Sequence, residues 1–290
     1  MIMRKVVFPA AGLGTRFLPV TKSTPKEMLP IVDKPLIQYG VEEAISAGFK
    51  DVIVVTGRGK NAIEDYFDHS FELEHILFQR QDNGNLNEVR RMPKEVDVAY
   101  IRQKQPLGLG HAILCAKNLI AENEYFAVVL ADDIIDAEIP VLQQMAAVVK
   151  RYKAPVIALM EVDSSMVKRY GIVAGEKIED RVFKISNMVE KPEKDQAPSN
   201  LAIIGRYILP AEIFKYLEKV EPGKNGEIQL TDAMRDYAKK NPMYGYVFEG
   251  RRYDAGDKLG YLEANIMYAL KRKEMRSKLK EFLKEVIQVG

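Results

Sequence analysis

Residues 5–16 read Lys-Val-Val-Phe-Pro-Ala-Ala-Gly-Leu-Gly-Thr-Arg, so a short apolar run passes directly into a glycine-rich turn. Apolar runs without polar alternation are typical of strands that are covered on both faces, as in α/β sheets. Glycines at the end of such a strand let backbone N–H groups approach a phosphate closely. The stretch therefore predicts the first strand of an α/β sheet and a phosphate-binding loop at its carboxyl end.

Similar apolar runs follow at residues 51–55, 126–130 and 155–159 and predict further strands. Between the first two strands, residues 36–47 carry apolar side chains at helical spacing, and Gly48 follows at the expected stop. This β-α-β pattern continues to residue 160 and predicts an α/β fold. We expect a Rossmann-like, mixed but mainly parallel sheet with helices on both faces.

From residue 170 the pattern changes to short β-like pieces, at 170–173, 182–185 and 201–205, which we interpret as a smaller β-rich part on the same sheet. Residues 80–94 are polar and predict a surface excursion between core elements. No composition break marks a second domain. We therefore predict one domain, 1–290, with an α/β part (1–160), a β-rich part (161–256) and a C-terminal helical tail (257–290).

The tail carries one apolar stripe at helical spacing, formed by Leu279, Phe282, Leu283, Val286 and Ile287. Two interpretations stay open. The stripe packs on its own domain, or it contacts another subunit.

Composition limits the class of protein. With 47% hydrophobic and 29% charged residues, the chain is typical of globular proteins. A net charge of +2 argues against a nucleic-acid partner, and apolar runs no longer than a strand argue against a membrane partner. Cys115 is the single cysteine, and the N-terminal apolar run is too short for a signal peptide, so we expect a cytoplasmic location.

The glycine turn fits neither of two common nucleotide loops. The dinucleotide fingerprint requires a third glycine where Phe17 stands, and an acid after the second strand, where residues 56–58 are Thr-Gly-Arg. The Gly-Lys-Ser/Thr of a Walker loop is absent as well. A dehydrogenase is therefore the weakest interpretation.

The loop continues with three basic residues, Arg16, Lys22 and Lys26. Pro19 and Pro25 argue against a long helix here, so we expect a structured loop over the carboxyl edge of the sheet, where α/β ligands bind. A triphosphate in a partly dehydrated cleft requires fixed cations of this kind.

Residues 12–16 (Gly-Leu-Gly-Thr-Arg) and 25–30 (Pro-Lys-Glu-Met-Leu-Pro) resemble the opening of the nucleotidyltransferases that make sugar nucleotides. Within that family, the similarity is greatest to the bacterial uridylyltransferases that join UTP to glucose 1-phosphate. It continues through residues 33–39 and 55–58, with matching segments to about residue 265. The resemblance implies UDP-glucose and pyrophosphate as products, Mg²⁺ as cofactor, and a homodimer or homotetramer.

The resemblance also implies roles on the nucleotide side. Four residues of the first loop would bind the nucleotide: Ala11, Gly12, Gly14 and Thr15. Gln103 would read the uracil edge, since an amide both donates and accepts, and Gly108 would let the backbone do the same. Asp132 would bind the metal, and Asp254 would be the second metal contact.

On the sugar side, Gly171 would line the sugar site, Glu190 would accept hydrogen bonds from glucose hydroxyls, and Lys191 would bind the sugar phosphate. Asp133 would face the sugar or begin a turn. Ala255 and Asp257 replace the small thiol and hydroxyl residues expected in the late Asp-x-Gly element, which leaves a ligand role for Asp257 open. We interpret His111 as a helix-start residue and residues 226–232 as structural support before a helix.

No nucleophilic Cys or Ser constellation is evident, so the pattern favours direct in-line displacement. Arg16, Lys26 and Lys191 would neutralise the reacting phosphates. Two alternatives remain: a dTTP-dependent glucose-1-phosphate thymidylyltransferase, because uracil and thymine share the edge that Gln103 would read, and a non-catalytic sugar-nucleotide sensor. The presence of all the charged site residues argues against the sensor.

Overall fold

The computed structural model describes residues 2–223 and 226–289. Its strands, in chain order, are β1 (Ile2–Ala10), β2 (Pro30–Ile31), β3 (Lys34–Pro35), β4 (Asp51–Thr56), β5 (Asp97–Arg102), β6 (Glu124–Val129), β7 (Asp133–Asp136), β8 (Val156–Glu161), β9 (Gly171–Glu179), β10 (Val182–Glu190), β11 (Leu201–Pro210), β12 (Tyr244–Val247) and β13 (Arg251–Asp254). Its α-helices are α1 (Leu36–Ser46), α2 (Asn61–Phe67), α3 (Phe71–Gln79), α4 (Asn83–Glu95), α5 (Gly108–Cys115), α6 (Val141–Tyr152), α7 (Ile213–Leu217), α8 (Leu230–Ala238), α9 (Lys258–Lys271) and α10 (Lys273–Val289).

Within the described residues, one sheet has the strand order β5-β4-β1-β6-β11-β8-β12-β10-β9. β11 runs antiparallel to both β6 and β8, and β10 runs antiparallel to β12 and β9, whereas the remaining strands share one direction. The predicted mixed, mainly parallel sheet is confirmed, and the four predicted apolar strands are β1, β4, β6 and β8. The segment 201–205, assigned to the smaller β-rich part, opens β11 in the middle of this sheet.

Helices cover both faces of the sheet because successive side chains of a strand point to opposite sides. Val6 and Phe8 of β1 pack in a cluster with residues of α1 and α6. Val7, between them, packs in a second cluster with residues of α5, α7 and α8. Burial on both faces explains why the strand sequences lack polar alternation.

The predicted helix at 36–47 is α1, and its end is set by a glycine. Gly48 has φ 92°, and its N–H donates to the Ile45 carbonyl at 2.9 Å. A left-handed residue at this point closes the helix with the hydrogen bonds of a C-terminal cap. The prediction for α1 is confirmed.

The polar segment 80–94 lies on the surface as predicted, but most of it is helical. Asp82 caps α4 by accepting a hydrogen bond from the Asn85 N–H at 3.2 Å. Of the α4 side chains, Leu86 and Met92 are buried. The Asp82 cap was the sequence signal for this helix.

The C-terminal segment is helical as predicted and forms α9 and α10. The apolar stripe of α10 is not buried against the described part of the chain: Phe282 is 57% exposed and Ile287 is 78% exposed. A stripe of this kind is available for contact with another molecule. None of the helices in residues 2–223 and 226–289 has the length and apolar composition needed to cross a bilayer.

Candidate functional site

A cleft of about 430 Å³ lies where several chain segments meet at the carboxyl side of the sheet. Seven predicted site residues line it: Arg16, Asp132, Asp133, Gly171, Glu190, Lys191 and Asp254. Its lining holds seven further polar residues that were not predicted as site residues: Lys168, Arg169, Tyr170, Tyr207, Gln229, Thr231 and Arg252. Residues separated by more than 200 positions in the chain therefore share one cleft.

The loop after β1 begins as an open glycine turn. Gly14 has φ 65°, and a Cβ placed there would lie 3.2 Å from both Lys26 Cβ and Thr21 Cγ2. The Thr21 hydroxyl donates to the Gly14 carbonyl at 2.8 Å, which fixes the turn. Around Gly12, in contrast, a Cβ would meet no atom within 4 Å. The backbone at Gly12 is therefore open to a ligand, whereas Gly14 is required by packing.

The rest of this loop forms three short 3₁₀ turns, Thr15–Phe17, Val20–Lys22 and Lys26–Met28. The expectation that the prolines prevent a long helix is confirmed. Glu27 of the third turn forms a buried ion pair that anchors the turn: Lys60 Nζ lies 2.7 Å from Glu27 Oε2. Glu27 is 1% exposed, and burial raises its pKa despite the neighbouring lysine. This pair fixes the backbone next to Lys26.

Lys26 reaches the acid that follows β6. Its Nζ lies 2.6 Å from Asp132 Oδ2, and both side chains are about a quarter exposed. Burial acts to lower the pKa of Lys26, but the carboxylates of Asp132 and Glu27 together outweigh burial, so the pKa is raised. Burial likewise acts to raise the pKa of Asp132, but Lys26, a backbone hydrogen bond and Arg252 together outweigh it, so this pKa is lowered. Both groups are therefore charged near neutral pH.

Asp132 and Asp254 converge over a residue without a side chain. A Cβ on Gly256 would lie 2.7 Å from Asp132 Oδ2 and 3.2 Å from Asp254 Oδ1. The Ala255 N–H donates to the Asp132 carbonyl at 2.8 Å, which holds the two segments together. Mg²⁺ prefers one or two carboxylates completed by phosphate oxygens and water, so this pair fits such an ion.

In the described part of the chain, no group of three or more His, Cys, Asp or Glu residues is placed to hold a metal ion. A metal bound by Asp132 and Asp254 would take its further ligands from water and phosphate oxygens.

Asp133 has surroundings quite different from those of Asp132. Arg252 Nε donates to its Oδ1 at 2.5 Å, and the Gly205 N–H donates to its Oδ2 at 2.9 Å. Asp133 is only 7% exposed. Both carboxylate oxygens are thus engaged within the protein, and Asp133 begins β7. A contact between Asp133 and the sugar stays a prediction.

The segment 130–133 is supported by a buried arginine, Arg206, that was not predicted from the sequence. Arg206 is 1% exposed and donates from Nη1 to the Leu130 carbonyl at 3.1 Å and from Nη2 to the Asp133 carbonyl at 2.8 Å. Glu43 of α1 neutralises it, with Nη2 and Oε2 2.8 Å apart. Arg206 therefore holds the backbone on both sides of Asp132. A charged residue inside the otherwise apolar run 201–210 was its sequence signal.

The base loop follows β5, two strands from β1 at the same edge of the sheet. Gln103 is 7% exposed, and its Nε2 lies 2.9 Å from His111 Nδ1 and 3.1 Å from the Gly108 carbonyl. His111 lies in the first turn of α5, as predicted, and also orients the Gln103 amide. Gly108 has φ 90°, and a Cβ there would lie 2.8 Å from Glu227 Cβ. Residues 226–230 therefore support this loop.

The remaining nucleotide-side residues sit outside the lining of the 430 Å³ cleft. Ala11, Gly12, Gly14 and Thr15 follow β1, and Gln103 and Gly108 follow β5. The sheet order nevertheless brings both strand ends to one edge, beside the end of β6 that carries Asp132.

On the other side of the cleft, Glu190 is held ready to accept hydrogen bonds. The Thr231 hydroxyl donates to Glu190 Oε2 at 2.7 Å, and a Cβ on Gly171 would lie 3.1 Å from the same oxygen. Lys191 has φ 44°, an uncommon backbone conformation for a residue other than glycine, and its side chain is 60% exposed. Strain of this kind is often found at functional sites.

Arg252 and Arg169 both lie near Asp254. Arg252 Nη2 is 3.3 Å from Asp254 Oδ2, and its Nη1 donates to the Tyr170 hydroxyl at 3.1 Å. Arg169 Nη2 lies 3.6 Å from carboxylate oxygens of both Asp254 and Asp257. Asp257 also caps α9 by accepting from the Leu259 N–H at 2.8 Å. The cap gives Asp257 a structural role.

Comparisons with known proteins extend the similarity to nearly the whole chain. Residues 5–271 match the family described as nucleotidyl transferase. UTP–glucose-1-phosphate uridylyltransferase from Bacillus subtilis (strain 168) is 48% identical over 285 residues, which cover 98% of this chain and 97% of that protein.

Two solved structures are similar in fold and sequence. A UDP-glucose pyrophosphorylase complexed with UDP-glucose is 49% identical, with a TM-score of 0.86 over 93% of this chain and 100% of that one. A UTP-bound UGPase from Acinetobacter baumannii is 41% identical, with a TM-score of 0.90 over 98% of this chain and 99% of that one.

Proposed function

The chain belongs to the nucleotidyl transferase family, and from that membership we propose that it transfers the uridylyl group of UTP to glucose 1-phosphate. UDP-glucose and pyrophosphate are the products. The observation that carries the proposal is the cleft in which Arg16, Asp132 and Lys191, from distant parts of the chain, face one another. The similarity to enzymes of this activity along the whole chain supports the choice of substrates.

The reaction is a direct displacement at phosphorus. A phosphate oxygen of glucose 1-phosphate forms a bond to the α-phosphorus of UTP, the bond from that phosphorus to the bridging oxygen breaks, and pyrophosphate leaves. The attacking phosphate is already an anion, so it requires no general base. The barrier lies in the mutual repulsion of two anions, which positioning and fixed positive charge reduce.

The chain provides that charge from both sides of the cleft. Arg16 binds the departing pyrophosphate, Lys26 binds the nucleotide phosphates, and Lys191 binds the sugar phosphate. Asp132 and Asp254 would hold Mg²⁺, which would neutralise further phosphate charge at the same place. The exposed side chain of Lys191 and the converging carboxylates of Asp132 and Asp254 support these roles.

Recognition of the two substrates is divided between the two sides. The open backbone at Gly12 receives the phosphates, and Gln103, with its amide oriented by His111, reads the uracil. Glu190, held by Thr231 behind Gly171, accepts hydrogen bonds from glucose hydroxyls. Each of these roles is a proposal.

A substrate panel tests the function. Purified protein is incubated with glucose 1-phosphate, Mg²⁺ and either UTP or dTTP, and pyrophosphate release and sugar-nucleotide formation are measured. We expect UDP-glucose to form fastest with UTP and to stop forming when EDTA removes the metal. A preference for dTTP would establish the thymidylyltransferase instead. Binding of UDP-glucose without any turnover would establish the sensor.

We also propose that the protein self-associates through the face formed by α3 and α4. There, a groove of about 880 Å³ is lined by Phe71 and Phe78, which are 82% and 65% exposed. Its rim carries both signs of charge, with Glu72 on α3 and Lys94 on α4, so a second copy related by a two-fold axis could meet opposite charges. Exposed aromatic residues with a mixed charged rim are typical of interfaces.

Light scattering on the purified protein tests this surface. We expect a dimer or tetramer for the unchanged chain and a smaller species for Phe78→Glu, which would bury a charge in the apolar contact. A monomeric wild-type protein would contradict the proposal.

A cytoplasmic location is a further proposal, and it rests on the sequence alone.

A further inference from the structure

Lys26 holds the carboxylate that the proposed function assigns to the metal. Its Nζ lies 2.6 Å from Asp132 Oδ2, which is the same oxygen that converges with Asp254 over Gly256. An ammonium at this distance uses a lone pair of that oxygen and places a positive charge beside any cation that the carboxylate binds. Lys26 and a metal ion therefore compete for Asp132.

The second carboxylate is also faced by cations. Arg252 lies 3.3 Å and Arg169 lies 3.6 Å from Asp254 Oδ2. The two acids that would hold the metal are thus each paired with cationic side chains of the protein. Their negative charge attracts a free divalent cation less strongly than two unpaired carboxylates would.

We propose that Lys26 is an exchangeable counter-ion of the metal site, which pairs with Asp132 in the substrate-free protein and passes to the nucleotide phosphates when the metal and the nucleotide bind together. This role rests on the proposed function, because it presupposes that Asp132 is a metal ligand. Its consequence is that the free protein binds the metal weakly and that the nucleotide strengthens metal binding.

The geometry around Lys26 permits the exchange without movement of the backbone. The 3₁₀ turn that carries it is anchored by the buried pair of Glu27 and Lys60, at 2.7 Å. The Cβ of Lys26 lies against the glycine turn, only 3.2 Å from the point where Gly14 would carry a side chain. Rotation of the side chain alone would therefore release Nζ from Asp132 while Cβ stays beside the glycine turn.

The ammonium keeps its charge through the exchange. Its Nζ leaves one anionic partner, the Asp132 carboxylate at 2.6 Å, for another, the triphosphate. Since the pairing with Asp132 is lost only when the metal arrives, metal and nucleotide should each increase the affinity for the other. Linkage requires that the two effects be equal.

Metal titration of the nucleotide-free protein tests the proposal directly. Mn²⁺ serves as the probe, and its free concentration is followed by electron paramagnetic resonance. We expect Lys26→Met to bind Mn²⁺ more tightly than the wild type, by about 5- to 150-fold, the usual range of coupling between sites. We also expect UTP to strengthen Mn²⁺ binding less in the variant than in the wild type.

Two control variants make the outcome specific, and a third variant is a substitute for Lys26→Met. Lys22→Met removes a positive charge from the same exposed loop but leaves the pair with Asp132 intact, so its Mn²⁺ affinity should stay within about twofold of the wild type. Asp132→Asn should lose Mn²⁺ binding in the presence of UTP. Lys26→Gln, which is also neutral, replaces the methionine variant if the latter does not fold.

The results separate this role from the proposed function. If Lys26→Met binds Mn²⁺ no more tightly than the wild type, or if Lys22→Met matches its gain, the exchange is wrong while the enzymatic assignment stands. If Asp132→Asn binds Mn²⁺ with UTP as well as the wild type does, Asp132 is not the metal ligand and the metal assignment itself fails.

Discussion

Asp132→Asn should lower kcat by about 10²- to 10³-fold, which corresponds to about 3–4 kcal/mol of activation free energy. The amide is nearly the same size as the carboxylate but carries no charge, so it binds a divalent cation poorly and no longer neutralises Lys26. The estimate is taken from the loss of a single preorganised electrostatic contact in other enzymes. The decrease should appear in kcat, because the missing interaction stabilises charge in the transition state.

Asp136→Asn is the matched control for this variant. Asp136 belongs to β7, close to Asp132 in the chain, but it pairs with the partly exposed Lys271 and does not line the cleft. Removing a partly exposed pair changes stability by about 0–1 kcal/mol and should leave turnover unchanged. Steady-state rates of pyrophosphate release for both variants, with circular dichroism to verify folding, give the comparison. An Asp132→Asn enzyme within threefold of the wild-type rate would refute the metal role.

The parts of the site that were predictable from sequence are those encoded by neighbouring residues. The passage of β1 into Gly12 and Gly14 is a local pattern, and so is the exclusion of a long helix by Pro19 and Pro25. Helix α1 and its stop at Gly48 depend on periodicity and one glycine. In each case the cause lies within a few residues of the effect, which is the range over which propensity and spacing act.

The side chains that support the site could not be predicted in this way. Arg206 and Glu43 are 163 residues apart in the chain, and Arg252 and Asp133 are separated by 119. Which buried charge meets which is decided by the order of strands in the sheet, and the sequence pattern does not specify that order. The difference between Asp132 and Asp133 has the same origin, because adjacent residues point in different directions and meet different neighbours.

The resemblance to a family supplied the roles that spacing alone did not. Glu190 and Lys191 form part of a Glu-Lys-Pro turn that, on its own, is typical of a solvated surface. In the structure, Thr231 and Gly171 surround Glu190 within the cleft. Whether a residue of such a turn belongs to a site is therefore decided by its neighbours in space, which a local sequence pattern does not specify.

Arg206→Met should reduce the free energy of unfolding by about 3–5 kcal/mol, the usual cost of removing one partner from a buried ion pair. Arg206 is 1% exposed, and its loss leaves the largely buried Glu43 without its guanidinium and removes one donor from each of the Leu130 and Asp133 carbonyls. Methionine fills most of the volume, so a cavity contributes little. Urea unfolding followed by circular dichroism measures the change. Arg251→Met, at an exposed arginine of β13, should change the same free energy by less than about 0.5 kcal/mol.

The double variant Arg206→Met with Glu43→Leu distinguishes charge from hydrogen bonding at this position. Replacing both partners of a buried pair by apolar residues is often neutral, so the double variant should lose less stability than the sum of the two single variants. It should not recover fully, because the Asp133 carbonyl loses its Arg206 donor, at a cost of about 1–3 kcal/mol, and the Leu130 carbonyl keeps only the Asp133 N–H. Since those carbonyls flank Asp132, the double variant should also keep a reduced kcat. If the double variant lost as much stability as the two single variants together, Arg206 and Glu43 would not act as a unit. Arg206 would then be an ordinary buried residue with no special part in holding the segment around Asp132.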